Sequence, residues 1–76
     1  MRVLVTGAAG GIGGGVVRTL AAADHDVTGI DRDADGLAAL PDAAETHALD
    51  LRDGDAVEAL LAGREFDRVV SCVGGY

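Results

Sequence analysis

The chain has 76 residues, which is enough for one small domain at most. Thirteen acidic residues against six arginines and no lysine give a formal net charge of −7 at pH 7, which argues against a nucleic-acid partner or an anionic membrane, because both require a basic surface. The single cysteine cannot form an internal disulfide, and no apolar run reaches the roughly 18 residues of a membrane span. We therefore expect a soluble cytoplasmic protein.

The acidic composition also indicates a high-salt environment. A chain rich in Asp and Ala and without Lys is similar in composition to proteins of salt-loving microbes, whose acidic surfaces are tolerated because molar salt screens charge over about 3 Å. We therefore expect a halophilic protein whose folded state depends on salt.

The first half of the chain predicts two strands with a helix between them. Residues 3–5 are apolar and rich in β-branched side chains, and the run stops at a glycine, as in a buried strand that ends in a turn. From Ile12 onward apolar residues recur with helical spacing, which predicts a helix with one buried face that ends near His25. Residues 27–30 predict a second strand, which ends at Asp31.

The second half continues the same alternation. Asp33 can cap a short helix, and residues 46–49 predict a third strand. Asp53 is placed to cap a third helix that ends near Gly63, and residues 67–73 predict a fourth strand. Alternating strands and helices with short connections predict an α/β fold, with a parallel sheet and helices on both faces. Right-handed crossovers then give the strand order 3-2-1-4.

A glycine-rich turn, residues 6–15 (TGAAGGIGGG), connects the first strand to the first helix. Such a turn presents backbone N–H groups and the positive end of a helix dipole, where a pyrophosphate can sit without side chains holding it off. Gly7 permits the tight turn, and Gly10 or Gly11 permits the close approach of the ligand. Gly13 permits close packing of the helix on the strand.

The spacing of the glycines separates the classes of nucleotide-binding loop. A P-loop requires a lysine, which the chain lacks, so that class is excluded. Residues 11–15 match the G-x-G-x-G loop of many methyltransferases that use S-adenosylmethionine, although those loops usually follow an acidic residue and this strand ends in Thr6. Gly14 and Gly15 have no role in the turn itself and should weaken the helix by up to about 1 kcal/mol each relative to Ala.

Thr6 and the glycines after it match two signatures at once, T-G-x-x-x-G-x-G and T-G-x-x-G-x-x-G, because Gly10 and Gly11 are adjacent. The chain resembles the short-chain dehydrogenase/reductase superfamily, and residues 3–13 look most like its extended branch of NAD-dependent epimerases and dehydratases. The resemblance implies a Rossmann-type half domain over residues 1–76, equivalent to the N-terminal, NAD(P)-binding half of a family member. It implies cofactor contacts from Thr6, Gly7, Gly10, Gly11, Ile12 and Gly13.

Asp31 lies 18 positions beyond Gly13, close to the roughly 20-residue spacing at which an acidic residue meets the adenosine ribose. A carboxylate there accepts hydrogen bonds from ribose hydroxyls and repels the extra phosphate of NADP. Two unit charges about 4 Å apart at an effective dielectric near 20 repel by about 4 kcal/mol before salt and water screen them. We therefore predict NAD as the cofactor, with NADP less favoured. Arg32 gives the opposite signal, since an arginine just after the strand can accommodate a 2′-phosphate.

Two further matches follow the later strands. Asp50 and Leu51 resemble the family's aspartate-hydrophobic pair, whose aspartate contacts the adenine amino group while its neighbour lines the ring pocket. Gly74 follows the fourth strand, where the resemblance implies a close approach to the cofactor near the nicotinamide ribose.

The family's catalytic residues have no counterpart in this sequence. Family members use a tyrosine and a lysine four residues apart together with an upstream serine, whereas this chain has no lysine and a single tyrosine, Tyr76. Neither histidine has a companion at metal-ligand spacing, so we predict no catalytic residue and no metal site. The chain is therefore interpreted as a dinucleotide-binding module that is inactive alone.

Two other functional classes stay open. The chain could be an oxidoreductase or epimerase completed by a partner chain, or a binder of S-adenosylmethionine, and it could also be a minimal or remnant fold that binds nothing. The predicted fourth strand has one unpaired edge, so we also expect a homodimer that forms through this edge.

Overall fold

The computed structural model describes residues 1–72, so Gly74 lies outside the described residues. The seven predicted elements are present in the predicted order. They are β1 (Arg2–Thr6), α1 (Gly11–Ala22), β2 (Asp26–Asp31), α2 (Ala34–Ala38), β3 (Glu45–Ala48), α3 (Gly54–Leu61) and β4 (Arg68–Ser71).

The sheet is parallel throughout, with the strand order β3-β2-β1-β4, which confirms the predicted topology. Thr6 at the end of β1 pairs with Ile30 of β2 and Ser71 of β4, and Asp31 pairs with Ala48 of β3. The carboxyl ends of the four strands therefore meet along one edge of the sheet, where open α/β sheets bind their ligands.

One face of the sheet carries the main hydrophobic core. Val3 and Val5 of β1 and Val27 of β2 project to this face, because alternate residues of a strand share a face, and α1 and α2 pack over them. This core is aliphatic, and its buried residues are Val3, Val5, Ala8, Val17, Val27, Leu37, Leu40 and Ala44.

The opposite face is covered less completely. Leu4 and Ile30 project to it and are buried. The right-handed rule for crossovers between parallel strands assigns α3, which connects β3 to β4, to this side of the sheet. The predicted contact face of α3, which consists of Val57, Leu60 and Leu61, is only half-buried. An eight-residue helix is about 12 Å long, which limits the area of sheet that α3 can cover.

The helix ends follow local signals. The side chain of Asp33 accepts a hydrogen bond from the Gly36 amide at 3.1 Å, and the side chain of Asp53 accepts one from the Ala56 amide at 3.2 Å, so both predicted caps are confirmed. The first helix ends at Ala22, earlier than predicted. Its end is a Schellman motif, in which Asp24 has a φ of 65° and the amides of residues 24 and 25 bond back to the last turn.

Among residues 1–72, β4 pairs only with β1, so its other edge has no strand beside it. Val69 at the middle of β4 is 63% exposed. Within the same residues, no helix combines the length and the apolar character that crossing a membrane requires.

Candidate functional site

A cleft of about 430 Å³ opens at the carboxyl edge of the sheet. Its walls come from the glycine-rich turn, the end of β2, the segment after β3 and the residue that follows β4. The lining residues are Gly7, Gly10, Asp31, Arg32, Leu49, Asp50, Leu51, Arg52 and Cys72.

The glycine-rich turn is held against β2 by backbone hydrogen bonds. The N–H groups of Gly7 and Ala8 both donate to the Ile30 carbonyl, at 2.9 and 3.1 Å. Gly7 has a φ of 72°, which glycine adopts without steric strain. A Cβ on Gly13 would lie 2.0 Å from the Gly7 carbonyl oxygen, so α1 can approach this closely only with glycine at that position. The contact that requires glycine is thus with the turn rather than with the strand.

The start of α1 presents its N–H groups without a side-chain cap. Gly10 occupies the N-cap position and makes no side-chain hydrogen bond, and the first turn contains no acidic residue. The first amide with a partner inside the helix is that of Gly14, which donates to the Gly10 carbonyl at 2.7 Å. The amides of residues 11–13 precede it, so the partial positive charge at this helix end can bind an anion.

Asp31 is fixed in the cleft by two backbone groups. Its Oδ2 accepts a hydrogen bond from the Ala9 amide at 3.1 Å, and its Oδ1 accepts one from the Asp33 amide at 3.0 Å. The first bond joins the end of β2 to the glycine-rich turn, 22 residues earlier in the chain. Each carboxylate oxygen retains a second lone pair, so Asp31 can still accept hydrogen bonds from a ligand in the cleft.

Asp50 lines the cleft two residues after β3, and two arginines lie close to its carboxylate. Arg52 donates to its carboxylate through Nε at 3.2 Å and Nη2 at 2.9 Å, and the Arg52 amide donates to Oδ1 at 2.9 Å. Arg32 Nη1 lies 3.9 Å from Asp50 Oδ2. The hydrogen bonds from Arg52 lower the pKa of Asp50 from 3.8 to about 2, with smaller contributions from the charges of the two arginines. Asp50 is therefore ionised at neutral pH.

The fold brings most of the predicted site residues together. Six of them line the cleft: Gly7, Gly10, Asp31, Arg32, Asp50 and Leu51. Gly11 and Ile12 form the first turn of α1, where Ile12 is 79% exposed. Thr6 is not one of the lining residues, and its hydroxyl donates to the Ser71 hydroxyl at 3.2 Å. Gly13 is buried and packs against the backbone of Gly7 in the glycine-rich turn.

Three lining residues were not predicted from the sequence. Leu49, Arg52 and Cys72 reach the cleft because they follow β3 and β4 at the same edge of the sheet. A usable signal existed for Arg52, since it is two residues beyond Asp50 in a turn, where an Asx-type contact is common. Within residues 1–72, no group of three His, Cys, Asp or Glu side chains is arranged to hold a metal ion.

The sequence profile of the NAD-dependent epimerase/dehydratase family matches residues 3–76. The chain belongs to this family. An uncharacterised protein of Mycobacterium tuberculosis (strain H37Rv) is 38% identical over 65 residues, which cover 86% of this chain and 7% of that relative.

Two solved structures are also similar to this chain. The UDP-glucose 4-epimerase of Thermotoga maritima, solved with UDP-glucose, superposes with a TM-score of 0.85 at 27% identity, covering 97% of this chain and 24% of the epimerase. A short-chain dehydrogenase/reductase family protein superposes with a TM-score of 0.85 at 34% identity, covering 100% of this chain and 34% of that protein. The chain thus spans between 7% and 34% of the length of these three proteins.

Proposed function

We propose that the cleft binds NAD through its adenosine and pyrophosphate groups, and that the chain contributes the cofactor-binding half of an epimerase, dehydratase or reductase. The observation that carries the proposal is the placement of Asp31. Two backbone amides hold its carboxylate in the cleft, beside the uncapped start of α1. A fixed acceptor for ribose hydroxyls therefore lies next to a set of donors for a pyrophosphate.

The glycine-rich turn fits the pyrophosphate. Gly7 and Gly10 line the cleft without side chains, so nothing prevents a phosphate from approaching the backbone. The amides at the start of α1, from Gly11 to Gly13, would donate to the phosphate oxygens. The hydrogen bonds from the turn to the Ile30 carbonyl hold these donors in place before a ligand arrives.

The segment after β3 fits the adenine ring. Leu49 and Leu51 supply apolar surface in the cleft, and the Asp50 carboxylate supplies an acceptor for the adenine amino group. Leu51 is 36% exposed, which leaves a face for a planar ring to cover. An apolar wall with one polar acceptor is the usual composition of such a pocket.

NAD is preferred over NADP because the ribose acceptor is a carboxylate. A 2′-phosphate would place a dianion beside the Asp31 side chain, whose orientation the Ala9 and Asp33 amides hold constant. A ribose 2′-hydroxyl instead donates to the same oxygen atoms.

Bound NAD supplies a hydride acceptor, and the residues of this chain bind and orient it. The tyrosine and lysine that family members use for proton transfer have no counterpart in the 76 residues, since the chain has no lysine. We place the catalytic and substrate-binding groups outside this chain, in the part of the relatives that it does not cover. Alone, the chain should bind the cofactor weakly and turn over no substrate.

A three-ligand titration tests the proposal. NADH, NADPH and S-adenosylmethionine are each titrated into the chain in molar KCl, with binding followed by calorimetry and folding checked by circular dichroism. We expect NADH to bind more tightly than NADPH and S-adenosylmethionine not to bind. The substitution Asp31→Asn should lower the preference for NADH at least about tenfold, because the repelling charge is removed.

Asp55→Asn is the matched control, since Asp55 lies in the first turn of α3 and outside the cleft lining. It removes the same charge from the chain and should leave the NADH preference unchanged. Tighter binding of S-adenosylmethionine than of NADH would support the methyltransferase-like alternative instead. A folded chain that binds none of the three ligands would overturn the proposal.

A further inference from the structure

Three charged side chains form a cluster in the cleft near Asp31. Arg52 donates to the Asp50 carboxylate from Nε at 3.2 Å and from Nη2 at 2.9 Å, and Arg32 Nη1 lies 3.9 Å from Asp50 Oδ2. All three line the same cleft. Together with Asp31 they give this end of the cleft two carboxylates and two guanidinium groups, so the local charge is balanced.

The two arginines are suited to an anion but are already engaged. A guanidinium group recognises carboxylate and phosphate through paired N–H donors, and in Arg52 two of these donors point at Asp50. Arg32 directly follows Asp31, where an arginine can accommodate a 2′-phosphate, yet its Nη1 also faces Asp50. A phosphate entering here must displace a carboxylate that already faces both side chains.

We propose that Asp50 is a positioning residue that sets the preference for NAD over NADP by holding Arg32 and Arg52 away from the ribose 2′-position. This inference rests on the proposed function of the cleft. Asp31 acts directly by repelling a 2′-phosphate, whereas Asp50 acts through the two arginines, by accepting the hydrogen bonds of Arg52 and by attracting the guanidinium group of Arg32. Without Asp50, a dianionic 2′-phosphate would meet two free guanidinium groups and one carboxylate.

The substitution Asp50→Asn tests this role. Asn keeps an oxygen acceptor for the Arg52 amide and for the adenine amino group, but it loses the charge that holds the arginines. The measured quantity is the ratio of the dissociation constants of NADH and NADPH, in which any effect on adenine binding cancels because both cofactors carry adenine. We expect the ratio to shift toward NADPH by up to about fivefold, the upper range for one exposed ion pair.

Smaller probes isolate the 2′-phosphate. The ligands 5′-AMP and 2′,5′-ADP differ by that phosphate alone, so Asp50→Asn should shift the ratio of their dissociation constants toward 2′,5′-ADP, and any effect on adenine binding cancels in that ratio. Adding Arg52→Gln to Asp50→Asn should remove most of the shift toward 2′,5′-ADP. Asp55→Asn, which changes the net charge equally but lies outside the cleft lining, should leave the ratio unchanged.

The outcomes separate this inference from the proposed function. A folded wild-type chain that binds neither NADH nor 5′-AMP overturns the proposed function, and this inference with it. A wild-type chain that binds NADH while Asp50→Asn leaves the NADH to NADPH ratio unchanged overturns only the role of Asp50. An equal shift in Asp50→Asn and Asp55→Asn would assign the effect to net charge and likewise overturn it.

Discussion

The backbone N–H of Ala9 donates a hydrogen bond to the side chain of Asp31, across 3.1 Å and 22 residues of sequence. With the Asp33 amide on the other carboxylate oxygen, this bond joins the glycine-rich turn to the end of β2. One side chain therefore does two things: it stabilises the turn that would hold the pyrophosphate, and it presents the acceptor that would hold the ribose.

This double role predicts that substitution of Asp31 lowers the stability of the fold as well as its affinity for cofactor. Asp31→Ala removes both acceptors and should lower the free energy of unfolding by about 1–2 kcal/mol, a value reduced from that of buried charged hydrogen bonds because Asp31 is half-buried. Asp31→Asn keeps one acceptor and should cost about half as much. Denaturant unfolding measures the free energy of unfolding of both variants. Equal stability of Asp31→Ala and wild type would contradict the stabilising role of the Asp31 hydrogen bonds.

Gly13 and Gly15 provide a matched pair of substitutions within α1. A Cβ at position 13 would lie 2.0 Å from the Gly7 carbonyl oxygen, whereas a Cβ at position 15 would meet nothing within 4 Å. Gly13→Ala should therefore lower the free energy of unfolding by about 1–3 kcal/mol and weaken NADH binding. Gly15→Ala should raise the free energy of unfolding by up to about 1 kcal/mol, because Ala favours the helix. Thermal unfolding of the two variants checks the prediction, which fails if both change stability in the same direction.

The ion pair of Asp50 and Arg52 predicts a pH dependence. In the folded chain the pKa of Asp50 is lowered from 3.8 to about 2, chiefly by hydrogen bonds from Arg52. A lowered pKa in the folded state means that this pair stabilises the fold above about pH 3.8, and that the contribution is lost as the pH falls toward 2. Arg52→Gln should raise the pKa of Asp50 from about 2 toward 3.8. The pKa should stay below 3.8, because the backbone N–H of residue 52 still donates to the Asp50 carboxylate.

An NMR titration of the Asp50 carboxyl carbon measures this shift. Arg68→Gln is the control, because the Arg68 side chain donates to the Asp67 carbonyl and does not contact Asp50. An unchanged pKa of Asp50 in Arg52→Gln would show that Arg52 is not the cause of the lowered value.

The net charge of −7 predicts that salt stabilises the fold. Molar KCl reduces the screening length to about 3 Å, which weakens repulsion between acidic side chains more than it weakens the few close ion pairs. The free energy of unfolding should rise from low to molar KCl. A triple variant that neutralises exposed acids away from the ion pairs, Asp42→Asn with Glu58→Gln and Glu65→Gln, should show a smaller rise. Stability that does not change with KCl would contradict the halophilic interpretation.

The outer edge of β4 predicts self-association of the chain. This edge has no neighbouring strand among residues 1–72, and Val69 on β4 is 63% exposed. Light scattering over a range of concentrations should give the mass of a dimer, and Val69→Lys should shift it to the mass of one chain. Ile12→Lys, which changes an exposed apolar residue on α1, should not. A single-chain mass for the wild type at millimolar concentration would exclude the dimer.

Local patterns in the sequence determined the order of the elements, the strand topology and the glycine turn. The caps at Asp33 and Asp53 join each side chain to an amide three residues away, so a short stretch of sequence contains the whole interaction. The C-terminal end of α1 was harder to predict from the sequence, because it depends on the left-handed conformation of Asp24. Apolar spacing alone does not report that conformation.

The tertiary structure alone decided which side chains meet across the cleft. Arg52 and Cys72 join Asp31 there because four parallel strands end at one edge of the sheet, although these residues are far apart in sequence. Similarly, the pairing of Arg32 with Asp50 depends on β2 and β3 being neighbours. Spacing predicted that Asp31 meets the cofactor, but the contacts that hold its carboxylate, and the arginines that face Asp50, depend on distances that only the packed chain sets.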